Sequence, residues 1–108
     1  MHERSALPFT VSSSQHHALG KQVSVQLAGD FVLKLTTAEA SSLSFALVAV
    51  RDGVSPEREI YMTPIASDAA FVGYVWDLGV SIATPAGALE LDWTNVGFLA
   101  EALAAAIG

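Results

Sequence analysis

The sequence contains no cysteine, so disulfides and thiolate metal sites are excluded. It has no apolar run near the roughly 18 residues that a bilayer-crossing helix requires. The N-terminal stretch MHERSALPF has no long apolar core to serve as a signal peptide, and a cytoplasmic location is the default expectation. Charge is scarce: Asp, Glu, Lys and Arg make up 15% of the 108 residues, well below the roughly 25% of an average domain. The scarcity is also lopsided. Up to Arg58 the chain holds five basic and five acidic residues, and beyond it come Glu59, Asp68, Asp77, Glu90, Asp92 and Glu101 with no Lys or Arg at all.

These absences limit function. An acidic second half repels phosphate backbones, so direct nucleic-acid binding is disfavoured. The same acids either form a face for a basic protein partner or act as scattered solvated carboxylates that keep an apolar domain dispersed. No glycine-rich phosphate loop, H-E-x-x-H or G-x-S-x-G is present. His16 and His17 are adjacent, an arrangement that turns the two rings to different sides of a strand or helix, so a joint metal site there, even with His2, is not expected. Nothing in the spacing pairs either histidine with Asp30 or Asp77 as a catalytic base. No cofactor, metal or catalytic residue is therefore assigned.

What is present is apolar and repeated. Hydrophobic residues reach 52% without counting glycine, above the roughly 45–50% usual with glycine included. A small charge-poor chain of this kind is expected to cover part of its surface, most simply with a second copy of itself. The length suits a single domain over 1–108, with a flexible N-terminus over 1–6. Residues 23–52 and 80–108 overlay once one residue is removed at the turn. Val23-Ser24-Val25 then falls on Val80-Ser81-Ile82, Leu33-Lys34-Leu35 on Leu89-Glu90-Leu91, and Leu43, Ala46 and Leu47 on Leu99, Ala102 and Leu103.

Each copy reads as strand, tight turn, strand, helix. Val23, Val25 and Leu27 alternate with polar neighbours, Ala28-Gly29-Asp30 turns, and Phe31, Leu33 and Leu35 alternate again, as in a half-buried antiparallel hairpin. Thr36-Thr37-Ala38-Glu39 has the spacing of a capping box and opens a helix from about Thr37 to Arg51, ended by Asp52-Gly53. In the second copy Thr84-Pro85-Ala86-Gly87 turns and Asp92 takes the cap position of a helix over about Trp93 to Ile107. That helix carries one charge, Glu101, and a helix apolar all round is expected to be buried. The run Leu-x-Leu-Thr-x-x-Glu-Ala followed by an Ala/Leu-rich helix resembles many small bacterial proteins in general outline, a local pattern that assigns no function.

Outside the copies, Leu7, Phe9 and Val11 suggest a short edge strand, and Ser12 to His17 a polar loop. Residues 53–79 supply a connector and two middle strands, Glu59 to Thr63 and Ala70 to Trp76. The second of these is apolar on both faces, which suits a fully buried strand with Gly73 at a bulge or close approach; a short helix capped by Ser67 is the competing reading. The expected fold is α+β: one mostly antiparallel sheet of about five or six strands with both helices on one face. Two functional readings follow. One is a non-enzymatic interaction module, a homodimer joined through Phe45, Val48, Ala49, Phe98, Glu101 and Ala105. The other is a small-molecule binder or modest enzyme with a pocket between sheet and helices lined by Phe45, Tyr74, Trp76 and Trp93.

Overall fold

The computed structural model describes residues 8–18 and 20–108; the segment expected to be flexible, and Leu7 of the first strand, lie outside them. The order of elements is β1 (Phe9–His16), β2 (Gly20–Leu27), β3 (Phe31–Thr36), α1 (Thr37–Arg51), β4 (Glu59–Met62), β5 (Phe71–Trp76), β6 (Gly79–Thr84), β7 (Gly87–Asp92) and α2 (Trp93–Ile107). The architecture is α+β with all strand pairs antiparallel.

The expected single sheet is replaced by two, of order β1-β2-β3 and β4-β5-β6-β7. The break has a local cause at the free edge of β3. Ser67, in the loop between β4 and β5, accepts from the Lys34 amide at 2.6 Å and donates to the Lys34 carbonyl at 3.1 Å. A side chain thus occupies backbone groups that a neighbouring strand would have used.

Both hairpins form in the register the alternation requires. Val23 pairs with Leu35 and Val25 with Leu33 in the first; Val80 pairs with Leu91 and Ile82 with Leu89 in the second. The first turn uses Ala28, Gly29 and Asp30, with Ala28 and Gly29 at φ of 47° and 81°, the left-handed conformations that a tight reversal calls for. The second turn is one residue shorter, Pro85-Ala86.

A correspondence not visible in the sequence appears on the other side of each hairpin. Val11 pairs with Val25, and Gly73 pairs with Ile82. Two residues back from Val11 and Gly73 stand Phe9 and Phe71, and both are buried. β1 also runs on through Ser12 to His16, correcting the expected polar loop. As an edge strand with its outer positions exposed, it needs no apolar alternation to hold its ladder with β2.

The two helices have 15 residues each and pack on one another. Thr36 caps α1: its Oγ1 accepts from the Glu39 amide at 3.1 Å while Glu39 Oε1 accepts from the Thr36 amide at 2.9 Å. Asp92 caps α2 through Asn95 at 2.9 Å. α1 rests on β2, β3 and β4, and α2 on β1, β2, β6 and β7, so each helix touches both sheets. One cluster of buried side chains results, with Leu27, Leu33, Leu35, Leu43, Leu47, Phe71, Ile82, Leu91, Leu99 and Leu103 at its centre. Among the described residues no helix is long and apolar enough to cross a membrane.

Candidate interaction surface

The strands of the four-stranded sheet alternate cleanly between a buried and an exposed face. Ile60, Phe71, Gly73, Val80, Ile82 and Leu91 are buried, and their neighbours in sequence point away from the core. The outward set includes Tyr61 on β4, Tyr74 and Trp76 on β5, Ser81 on β6 and Glu90 on β7. Tyr61, Tyr74 and Trp76 keep 63%, 51% and 41% of their surface in solvent. β5 is therefore not the fully buried strand that its composition suggests.

Register builds this face row by row. Glu59 stands opposite Tyr74, Tyr74 opposite Ser81, and Ser81 opposite Glu90. The adjacent row runs Trp76, Gly79, Asp92. Ser81 Oγ donates to Glu90 Oε2 at 3.0 Å, which fixes the carboxylate beside the rings. Tyr74, Trp76, Ser81 and Glu90 together line a shallow, mainly apolar depression of about 390 Å³.

Gly79 and Gly73 each allow a close approach under this surface. A Cβ at Gly79 would lie 1.8 Å from the carbonyl oxygen of Leu91, and one at Gly73 would lie 2.9 Å from Val80 Cγ1 and 3.1 Å from the Phe71 ring. Trp93, at the start of α2, is half-buried, and its indole N–H donates to the Asp77 carbonyl at 2.9 Å. That bond ties the start of α2 to the turn between β5 and β6, at the residue after Trp76.

A second exposed apolar area lies on the helices. Phe45 is 78% exposed and lines a groove with Ser41, Ser44, Val48, Ala104 and Ile107. Phe98 is 45% exposed, and Glu101 and Ala105 are exposed as well, so α2 is buried on one side rather than all round. Val48 and Ala49 are half-buried.

The expected pocket between sheet and helices is therefore not assembled. Tyr74 and Trp76 share the outer face of the sheet, Phe45 belongs to the helix groove, and Trp93 is tied to Asp77. The apolar runs gave no hint of which face each ring would take. The period-two spacing of Tyr74 and Trp76 could have shown that they share one.

Among the described residues no three His, Asp or Glu side chains are grouped to hold a metal. The rings of His16 and His17 stack at 5.0 Å at the far tip of the β1–β2 hairpin. Arg51 has its pKa raised by a hydrogen bond and charge attraction from Asp52, with Nε 2.9 Å from Asp52 Oδ1, a surface pair at the end of α1. Compared with protein-family models, with curated proteins and with solved structures, the chain matches none.

Proposed function

We propose that this protein is a non-enzymatic protein–protein interaction module whose working surface is the outer face of the four-stranded sheet. The observation that carries the reading is the placement of Tyr61, Tyr74 and Trp76 on one exposed face, rimmed by Glu59 and Glu90. Aromatic rings offer large contact area at little entropic cost and are enriched at protein interfaces. In this reading the two strand–strand–helix segments are copies of one unit that face each other through their helices, and the sheet face of the second copy has diverged into a binding surface.

The volume of the depression falls within the roughly 300–1,000 Å³ of ligand pockets. Such pockets, however, enclose most of their ligand, whereas Tyr74 and Trp76 lie open on a sheet surface. The shape suits a partner that lies across the strands better than a small molecule held within them. The test is a photo-crosslinking residue at position 74, with position 10 on the first sheet as control. A discrete protein adduct at 74 and none at 10 supports the reading. A Trp76 fluorescence response to a chemically coherent family of small molecules, with no adduct, replaces it with the small-molecule alternative.

One observation favours self-association as a second activity. Phe45 is 78% exposed beside an apolar groove, a placement a monomer seldom keeps without use. Sedimentation velocity over a wide concentration range tests it: a dimer that dissociates in Phe45→Ser supports a homodimer joined through the helix layer. A clean monomer at all concentrations removes it.

A further inference from the structure

Resting on that reading of the sheet face, we propose that the partner is a basic, extended protein segment whose Arg or Lys side chains lie over Trp76 and Tyr74 between carboxylates of β4 and β7. The register makes the case. Tyr74 has Glu59 on the strand to one side and, one strand beyond Ser81, Glu90 on the other. Trp76 sits one pleat along on the same strand, in the row that ends at Asp92. A cation set on these rings meets the negative faces of their π-systems with Glu90 lining the same depression, and a second cation on the β4 side meets Glu59, one strand from Tyr74; guanidinium is the group best suited to stack and pair in this way.

The charge around the site is one-sided. Every ionisable residue from Glu59 to the end of the chain is acidic apart from the tyrosines. Arg58, the exposed residue just before β4, is the one basic neighbour of this face in sequence, and its carbonyl accepts from the Val75 amide at 2.9 Å, in the row next to that of Glu59 and Tyr74. Asp92 is engaged at the cap of α2 and contributes field more than contact. Glu90 is oriented by Ser81, and Glu59 stands at the edge of the sheet, so these two are the contact carboxylates.

An extended segment also matches the spacing of the face. Tyr74 and Trp76 are two residues apart on one strand, about 7 Å, the same distance that separates alternate side chains of an extended peptide. A segment with basic residues at alternate positions therefore puts one cation on each ring.

The experiment titrates the full chain with three peptides of about nine residues: alternating Arg and Ser, its Glu-for-Arg counterpart, and a neutral proline-rich peptide. Backbone amide shifts and indole fluorescence are read for the wild type, Trp76→Ala, the pair Glu59→Gln with Glu90→Gln, and Asp30→Asn as an exposed control acid in the β2–β3 turn. The basic peptide is expected to shift residues 72–76, 81 and 90, and to weaken about tenfold between about 0.05 and 0.5 M NaCl. Binding is expected to fall at least about fivefold in Trp76→Ala and in the double glutamine variant and to stay unchanged in Asp30→Asn.

Binding of the basic peptide that is indifferent to both sets of substitutions overturns the inference. If only the neutral peptide binds on this face, the inference fails while the interaction surface stands. If none of the three perturbs residues 72–76, the inference fails, and the crosslink at position 74 then decides the surface separately.

Discussion

Ser44 Oγ donates to the backbone carbonyl oxygen of Ala100 at 2.8 Å, and in the overlay of residues 23–52 on 80–108 Ser44 and Ala100 are the same position. The bond lies where α1 and α2 pack on one another. The hairpin tips behave alike: Ala28, Asp30 and Phe31 of the first turn share a groove with Pro85 and Ala86 of the second. α1 and α2 thus cover part of each other's apolar surface within one chain, while Phe45 and Phe98 stay exposed.

Close packing at this crossing gives a first prediction. Ser44→Ala removes one side-chain hydrogen bond worth about 1 kcal/mol but places the best helix former in the middle of α1, so stability by urea denaturation should change by less than about 1 kcal/mol. Ser44→Leu must push the helices apart and is expected to cost about 1–3 kcal/mol. Equal tolerance of both substitutions would mean that the helices do not approach closely at this point.

Gly97 on α2 lies under the guanidinium of Arg51, and a Cβ there would sit 2.9 Å from Arg51 Nη1. The obstructing atom is the far end of a flexible, exposed side chain, which can swing aside at little cost. Glycine inside a helix gives up about 1 kcal/mol relative to alanine. Gly97→Ala is therefore expected to stabilise the protein by about 0.5–1 kcal/mol, read as a higher urea midpoint with an unchanged slope. A loss of stability would show that Arg51 is held rigidly in place.

Gly79 offers the opposite case. Its clash partner is backbone, the Leu91 carbonyl oxygen at 1.8 Å, and no rotamer change relieves it. Gly79→Ala has to open the β6–β7 ladder and is expected to cost more than about 3 kcal/mol. At Gly73 the nearest atoms are side chains, Val80 and Phe71, so Gly73→Ala should cost less, about 1–3 kcal/mol. The order of the two losses in thermal denaturation is the test, and a reversal would place the tightest approach under β5.

What the sequence discloses and what it hides divide along physical lines. The hairpins, the cap at Thr36 and both helices are legible because each depends on residues near in sequence: alternation at period two, a hydroxyl and a carboxylate three apart, an apolar stripe at helical spacing. The division into two sheets is not, because it rests on Ser67 reaching Lys34 across a loop, and a serine in a turn carries no mark of its target. The extension of β1 through Ser12 to His16 is hidden for a related reason, since an exposed edge strand can be polar throughout. The aromatic face is half legible. The spacing of Tyr74 and Trp76 places them together, but Val72 and Val75 on the same strand blur which side is the core.

Glu39 joins a local device to a long-range one. Its Oε1 closes the capping box on the Thr36 amide at 2.9 Å, and its Oε2 accepts from the Ile65 amide at 2.9 Å, so one carboxylate both starts α1 and holds the β4–β5 loop against it. Thr36→Ala removes the cap acceptor alone and is expected to cost about 1 kcal/mol. Glu39→Ala leaves two backbone donors without their carboxylate and is expected to cost about 2–3 kcal/mol. Glu39→Gln keeps one accepting oxygen but turns an N–H₂ toward the other amide, which places it between the two. Hydrogen exchange separates the roles. The Ile65 amide should lose protection in Glu39→Ala and keep it in Thr36→Ala, because only the glutamate reaches the loop. Protection at Ile65 that survives in Glu39→Ala would mean that the loop is held by the Ser67 contacts with Lys34 alone.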